Sequence, residues 1–215
     1  MDSRVADMVE ALCALYPDAK PELDFTNPYE TLVATILAAQ CTDKRVNMVT
    51  PAVFRDFPDP KAMAATTADV LFPYVRSCGF HSKAENIVNA CRIIVEKHGG
   101  EVPSTMEELT ALPGVGRKTA NVVLANAFNV PAMAVDTHVF RVSNRLGLVR
   151  ADTVEKTERQ LMAALPAEMW NRMHHCLIYH GRRVCHSRKP DCEKCTLRDL
   201  CDAYQCGEPE RKPKK

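Results

Sequence analysis

Apolar residues recur along the chain at intervals of three and four, segment after segment. Val5, Met8, Val9, Leu12 and Leu15 make the first stripe, closed by Tyr16-Pro17, and this spacing predicts an amphipathic helix. Asn27 as cap, Pro28 at the first helical position and Glu30 at the third open a second helix, with Leu32, Val33, Ile36 and Leu37, ending near Gln40-Cys41-Thr42-Asp43. From 45 to 75, Pro51, Pro58, Pro60 and Pro73 separate short helical pieces. A glycine turn at Cys78-Gly79-Phe80 precedes a helix with Ile87, Val88, Cys91, Ile94 and Val95, stopped at His98-Gly99-Gly100. Ser104 with Glu107 reads as a capping box for a helix carrying Leu109 and Leu112 on one face, stopped by Pro113. Val122, Val123 and Phe128 continue the helical period, and Asn129-Val130-Pro131 breaks it. Asp136 stands at the N-cap of a helix with Val139, Phe140, Val142 and Leu146, and Asp152 with Glu155 opens another that ends at Pro166. Trp170, Met173, Leu177 and Ile178 mark a largely buried helix that Gly181 is expected to end. No segment alternates with period two and no hairpin signal occurs, so the fold class is all-α.

Composition narrows the setting. A chain of 215 residues with 46% hydrophobic content can bury the core of one large domain or two small ones. The net charge of +1 gives no global basic signature, so any contact with nucleic acid must come from local arrangement. The N-terminus lacks an apolar leader and no apolar run approaches bilayer length, which points to a cytosolic protein with no membrane partner. In that compartment ten cysteines suggest metal binding before disulfides. The tail Arg211-Lys212-Pro213-Lys214-Lys215 is expected to be disordered and weakly attracted to phosphate.

The first candidate for chemistry is Leu112-Pro113-Gly114-Val115-Gly116-Arg117-Lys118-Thr119-Ala120-Asn121. One helix runs in, two glycines turn the chain, and a second helix leaves with a lysine in its first turn. Gly114 and Gly116 permit positive φ and put no Cβ in the way of an approaching group. Bare amides and the helix dipole favour an anion there, phosphate above all; a corner whose glycines serve geometry alone is the alternative. Lys118 tilts the balance, since an ammonium against the positive end of a helix is poorly placed for stability but well placed for an amine nucleophile. Asp136 reads first as a plain helix cap, and capping is compatible with catalysis.

The second candidate is Cys185, Cys192, Cys195 and Cys201, spaced C-x6-C-x2-C-x5-C. Four thiolates this close can wrap one soft metal centre, and an iron–sulfur cluster and a tetrahedral zinc both meet that ligand count. Cys206 falls outside the pattern, and Cys13, Cys41, Cys78, Cys91 and Cys176 read as packing residues in or beside helices. Arg188 and Lys189, between the first two ligands, could meet phosphate or simply be solvated.

Taken in order, the Leu112–Asn121 stretch, then Ala134-Val135-Asp136-Thr137-His138, then the four-cysteine pattern, the chain resembles the bacterial endonuclease III family of DNA glycosylases and abasic-site lyases, over nearly its whole length. The resemblance implies a helix-hairpin-helix at about 104–128 and a [4Fe-4S] cluster rather than zinc. It also implies two helical lobes with a catalytic cleft between them. One lobe would be a helical barrel over 21–130; the other would join 1–20 to 131–206 and hold the cluster, leaving 207–215 as a tail. It places the catalytic lysine on Lys118 and the catalytic aspartate on Asp136. DNA contacts fall on Gln40, which would fill the space of an extruded base, on Gly114, Val115 and Gly116 of the hairpin, on His138, and on Arg188 and Lys189. The loop at Gly79-Phe80-His81-Ser82-Lys83-Ala84 is one residue shorter than is usual in that family, and Phe80 is the candidate wedge, a buried aromatic being its other reading. The implied partner is duplex DNA carrying damaged pyrimidines or abasic sites, bound by a monomer in a bacterial cytoplasm. A sister glycosylase of other lesion preference and a non-catalytic DNA-binding module are the competing readings.

Overall fold

The computed structural model describes residues 3–208, and the basic tail 211–215 lies outside them. Among the described residues all regular structure is helical. The chain divides into two compact units, one of residues 21–130 and one joining the residues up to Lys20 to those from Pro131 on. In chain order the helices are α1 (Ser3–Leu15), α2 (Pro28–Ala38), α3 (Asp43–Asp56), α4 (Pro60–Ala64), α5 (Ala68–Val75), α6 (His81–His98), α7 (Met106–Thr110), α8 (Arg117–Ala127), α9 (Thr137–Leu146), α10 (Val154–Ala164), α11 (Trp170–Arg183) and α12 (Asp202–Gln205).

In the unit of 21–130, α2 is buried nearly all round and packs on α3, α6 and α8, while α6 also carries α4 and α5. Asn27 caps α2 as its sequence predicts, accepting the Glu30 amide at 2.9 Å. Leu32, Leu37, Ile87, Ile94 and Leu109 are fully buried. Each such side chain removed from water contributes on the order of 2 kcal/mol, which is why this stripe survives local defects. Pro51 and Pro73 are two of those defects. Both lie inside helices, α3 and α5, rather than between them. A proline there removes one helical hydrogen bond, but Val46, Thr50 and Val53 on α3 and Leu71 and Val75 on α5 are buried, and that packing holds each helix through it.

In the other unit α11 packs against α1 and α9, with α10 and α12 also against α9. Met8, Leu12, Met133, Val139, Val142, Leu161, Met173 and Leu177 fill its core; Leu15, expected on the same stripe, is at the surface instead. Gly181 does not end α11, which runs on to Arg183. A Cβ there would come within 3.0 Å of Arg141 Nη2 and of His138 Nδ1, so this glycine serves the close approach of α9. Two predicted caps also shift by one residue. Thr105, not Ser104, caps α7 by accepting the Glu108 amide, and Thr153, not Asp152, caps α10 by accepting the Lys156 amide. Asp152 instead pairs with Lys156 one turn on, 2.8 Å away.

Candidate functional site

Three parts of the molecule carry the residues singled out from the sequence. The first is the hairpin between α7 and α8. Leu109 and Leu112 are buried beneath it, and the Val115 amide is taken by the Leu112 carbonyl at 3.1 Å. The Val115 side chain is buried as well, so this residue offers a ligand none of its side chain. Gly114 has φ +76, and a Cβ on it would meet Asn86 Cβ at 2.9 Å; both the turn and the contact with α6 require glycine. Gly116 differs from the expectation of positive φ. Its backbone is extended, with φ −89 and ψ 176, and a Cβ there would touch nothing. Gly116, the N-cap residue of α8, makes no side-chain capping bond. Lys118, two residues further on, is exposed, and among the described residues its ammonium has no hydrogen-bond or ion-pair partner.

The second part is the entrance of α9. Asp136 Oδ1 accepts the amides of His138 and Val139, both at 2.8 Å, while Oδ2 has no hydrogen-bond partner among the described residues. The carboxylate is half-buried, preceded by the buried run Ala132–Val135, and the Ala134 carbonyl is bonded to His174 Nδ1 at 2.7 Å. Arg141 Nη2 lies 3.1 Å from His138 Nδ1 and donates to the carbonyls of Gly181 and Cys185 at 2.9 Å. Burial lowers the His138 pKa, outweighing the nearby Asp136 charge, so the ring is neutral.

The third part is the cysteine loop. Cys185, Cys192, Cys195 and Cys201 line one pocket, with Arg145 and His180 among its walls. Arg145 is nearly fully buried, and no sequence pattern marked it. Its Nη1 donates to Cys185 Sγ at 3.5 Å and to the His186 carbonyl at 2.6 Å, its Nη2 to the Ser187 carbonyl at 2.9 Å, and its own carbonyl accepts from Cys201 Sγ at 3.3 Å. His180 lies between Tyr16 Oη, 3.0 Å from Nδ1, and Cys195 Sγ, 3.7 Å from Nε2. Burial pushes its pKa down to about 4, leaving a neutral ring. Burial likewise raises the thiols of Cys192, Cys195 and Cys201. Arg188 and Lys189 are exposed on this loop, Lys189 with φ 50.

Two further residues lie on loops that share one lysine. Gln40, at the turn between α2 and α3, is exposed with φ 57, a left-handed conformation that costs a non-glycine residue roughly 1–2 kcal/mol. Phe80 is 78% exposed, which excludes the buried aromatic. Lys83, which no sequence pattern marks, joins the two loops: its Nζ donates to the carbonyls of Leu37 (2.8 Å), Ala39 and Cys78 (2.5 Å each).

Residues 33–167 match the HhH-GPD superfamily of base excision DNA repair proteins. Endonuclease III of Synechocystis sp. is 50% identical over 206 residues, covering 95% of this chain and 94% of that protein. The chain belongs to the endonuclease III family. The Escherichia coli K12 member is 46% identical over 187 residues, 86% of this chain and 89% of its own. Among solved structures, a trapped endonuclease III–DNA covalent intermediate with an estranged adenine superposes with a TM-score of 0.89 at 43% identity, covering 96% of this chain and 99% of that one. A non-covalent endonuclease III–DNA complex matches equally well. A thermostable thymine-DNA glycosylase, at 23% identity and TM-score 0.85, shares the fold. No described helix is long and apolar enough to cross a membrane.

Proposed function

We propose that this endonuclease III family member is a bifunctional DNA glycosylase and abasic-site lyase for oxidised or ring-saturated pyrimidines in duplex DNA. The observation that carries the reading is Lys118, an exposed amine without a partner among the described residues, one residue into a helix whose N-cap residue, Gly116, makes no side-chain capping bond. The Gly116 backbone and the first amides of α8 bind a phosphate oxygen and bring the sugar of the flipped nucleotide to the amine. Lys118 Nζ attacks C1′, the C1′–base bond breaks, and the base leaves with the electron pair. Loss of the amine proton and opening of the sugar give an imine. The imine acidifies the 2′ proton, whose removal expels the 3′ phosphate by β-elimination; water then hydrolyses the imine and frees the lysine. The role assigned to Asp136 is to stabilise the positive charge that develops on the sugar, or to take the proton from the amine. His138, Arg188 and Lys189 hold backbone phosphates; Gln40 occupies the space of the extruded base and Phe80 wedges the opposite strand. The substrate is chromosomal DNA, met by a monomer in the cytoplasm.

Cys185, Cys192, Cys195 and Cys201 would hold a [4Fe-4S] cluster. All four thiols line one pocket, as ligands of a single centre must, and Arg145 and His180 beside them suit sulfur ligands carrying negative charge. Bound there, the group would supply coordinate cross-links that fix the loop carrying Arg188 and Lys189. Brown colour and bound iron, against zinc, test this part.

The decisive experiment is borohydride reduction during turnover on a duplex with one oxidised pyrimidine. The protein becomes covalently attached to the DNA, and Lys118→Gln abolishes both the adduct and strand cleavage while retaining duplex binding. Binding without any adduct in the native protein would instead make it a non-catalytic DNA-binding module.

A further inference from the structure

Gln40 and Phe80 lie forty residues apart in sequence, on different loops. We infer that the Lys83 ammonium is a positioning residue that locks these two loops into one rigid element, so that both enter the duplex together. The inference rests on the reading of Gln40 and Phe80 as the intruding side chains.

The geometry is specific. Lys83 is the third residue of α6, where the positive end of the helix disfavours a cation. Three carbonyls compensate, and they come from both loops. Leu37 and Ala39 belong to the last turn of α2 and its C-cap, where carbonyls lack helical partners, and Ala39 directly precedes the strained Gln40; Cys78 precedes Gly79 and Phe80. Gly79 has φ +137, and a Cβ on it would stand 3.2 Å from Lys83 Nζ and 3.3 Å from Cε, so this glycine also makes room for the strut. A left-handed Gln40 persists only where its surroundings over-determine it, and the ammonium behind it is such a constraint. With three charge-assisted bonds on one nitrogen, neither loop shifts without the other.

The test uses the protein with its iron bound, a duplex containing a tetrahydrofuran abasic analogue, and the same duplex undamaged. Lys83→Met should bind undamaged duplex within about twofold of the native protein yet lose about tenfold or more in affinity for the analogue. Hydrogen exchange should show residues 39–42 and 78–82 loosened together, with 114–118 unchanged. Gln40→Ala and Phe80→Ala should each lose discrimination, and Gln40→Ala combined with Lys83→Met should lose no more than the worse single variant, because the two act through one element. If Lys83→Met does not fold, Lys83→Gln, which keeps donors on a shorter stem, takes its place. Loosening of one segment alone, additive losses, or unchanged discrimination in the Lys83 variant would overturn the strut while leaving Gln40 and Phe80 as intruding residues. Unchanged discrimination in both Gln40→Ala and Phe80→Ala would remove that underlying reading, and the strut's role with it.

Discussion

Two helix entrances in this protein carry opposite charges. At α9, Asp136 caps the helix through two amides and sits where the dipole favours a carboxylate. At α8, Gly116 supplies no cap, and Lys118 holds a cation where the dipole opposes it. The first arrangement stabilises the fold by about 1 kcal/mol whether or not the residue does chemistry. Among the described residues the Lys118 ammonium makes no contact that would stabilise the fold. A residue that helps the fold hides its function, and one that does not exposes it.

The largest effect that would separate structure from chemistry is at Asp136. Asp136→Asn keeps an oxygen that can accept both amides, so thermal stability should hold while base release falls roughly 100-fold or more through loss of charge opposite the transition state. Asp136→Ala should lose both the rate and about 1 kcal/mol of stability. A single-turnover assay beside a melting curve reads the two; an Asn variant that unfolds would reduce Asp136 to a cap.

Next comes Arg145→Met, which strips partners from the His186 and Ser187 carbonyls and from Cys185 Sγ. It should cost about 3 kcal/mol in denaturant unfolding and lower the iron content, whereas the α8 entrance, built on its own hairpin, should be untouched. Gly114→Ala meets Asn86 and a positive φ, and should cost about 2 kcal/mol. Gly116→Ala meets nothing, so its stability should change by less than about 0.5 kcal/mol while duplex affinity drops. An equal stability loss from both glycines would show that Gly116 serves the turn alone.

The smallest effect at neutral pH belongs to His175, buried in α11, where desolvation first and the neighbouring His174 second push its pKa from 6.5 to about 3. Its folded pKa lies below the unfolded one, so its contribution is complete above about 6.5 and is lost as pH falls toward 3, where the unfolded chain binds the proton first. Unfolding measured between pH 7 and 4 should show stability falling, and less steeply in His175→Gln.

Much of the helical order was legible because apolar period and caps are local: the Asn27 and Asp136 caps and the buried faces of α2 and α6 stand where the pattern puts them. What misled was also local. Ser104 and Thr105 adjoin, as do Asp152 and Thr153, and a cap signal cannot choose between neighbours able to do the same job. Lys83 and Lys118 give the sharper lesson. Both are lysines in the first turn of a helix and look alike in sequence, yet the Lys83 ammonium is bonded to three carbonyls.

The sequence by itself determined the all-helical class, the glycine-tipped hairpin with its lysine, the Asp136 cap and the four-cysteine spacing, because each depends on residues within a few positions of one another. Only the tertiary structure decided that Pro51 and Pro73 stay inside helices, that Gly181 is a point of contact with α9, and that Arg145 bonds to the Cys185–Ser187 loop and Lys83 to the end of α2. Those outcomes turn on which carbonyl, thiol or side chain lies within about 3 Å after folding, and pairings across forty residues leave no periodicity to read.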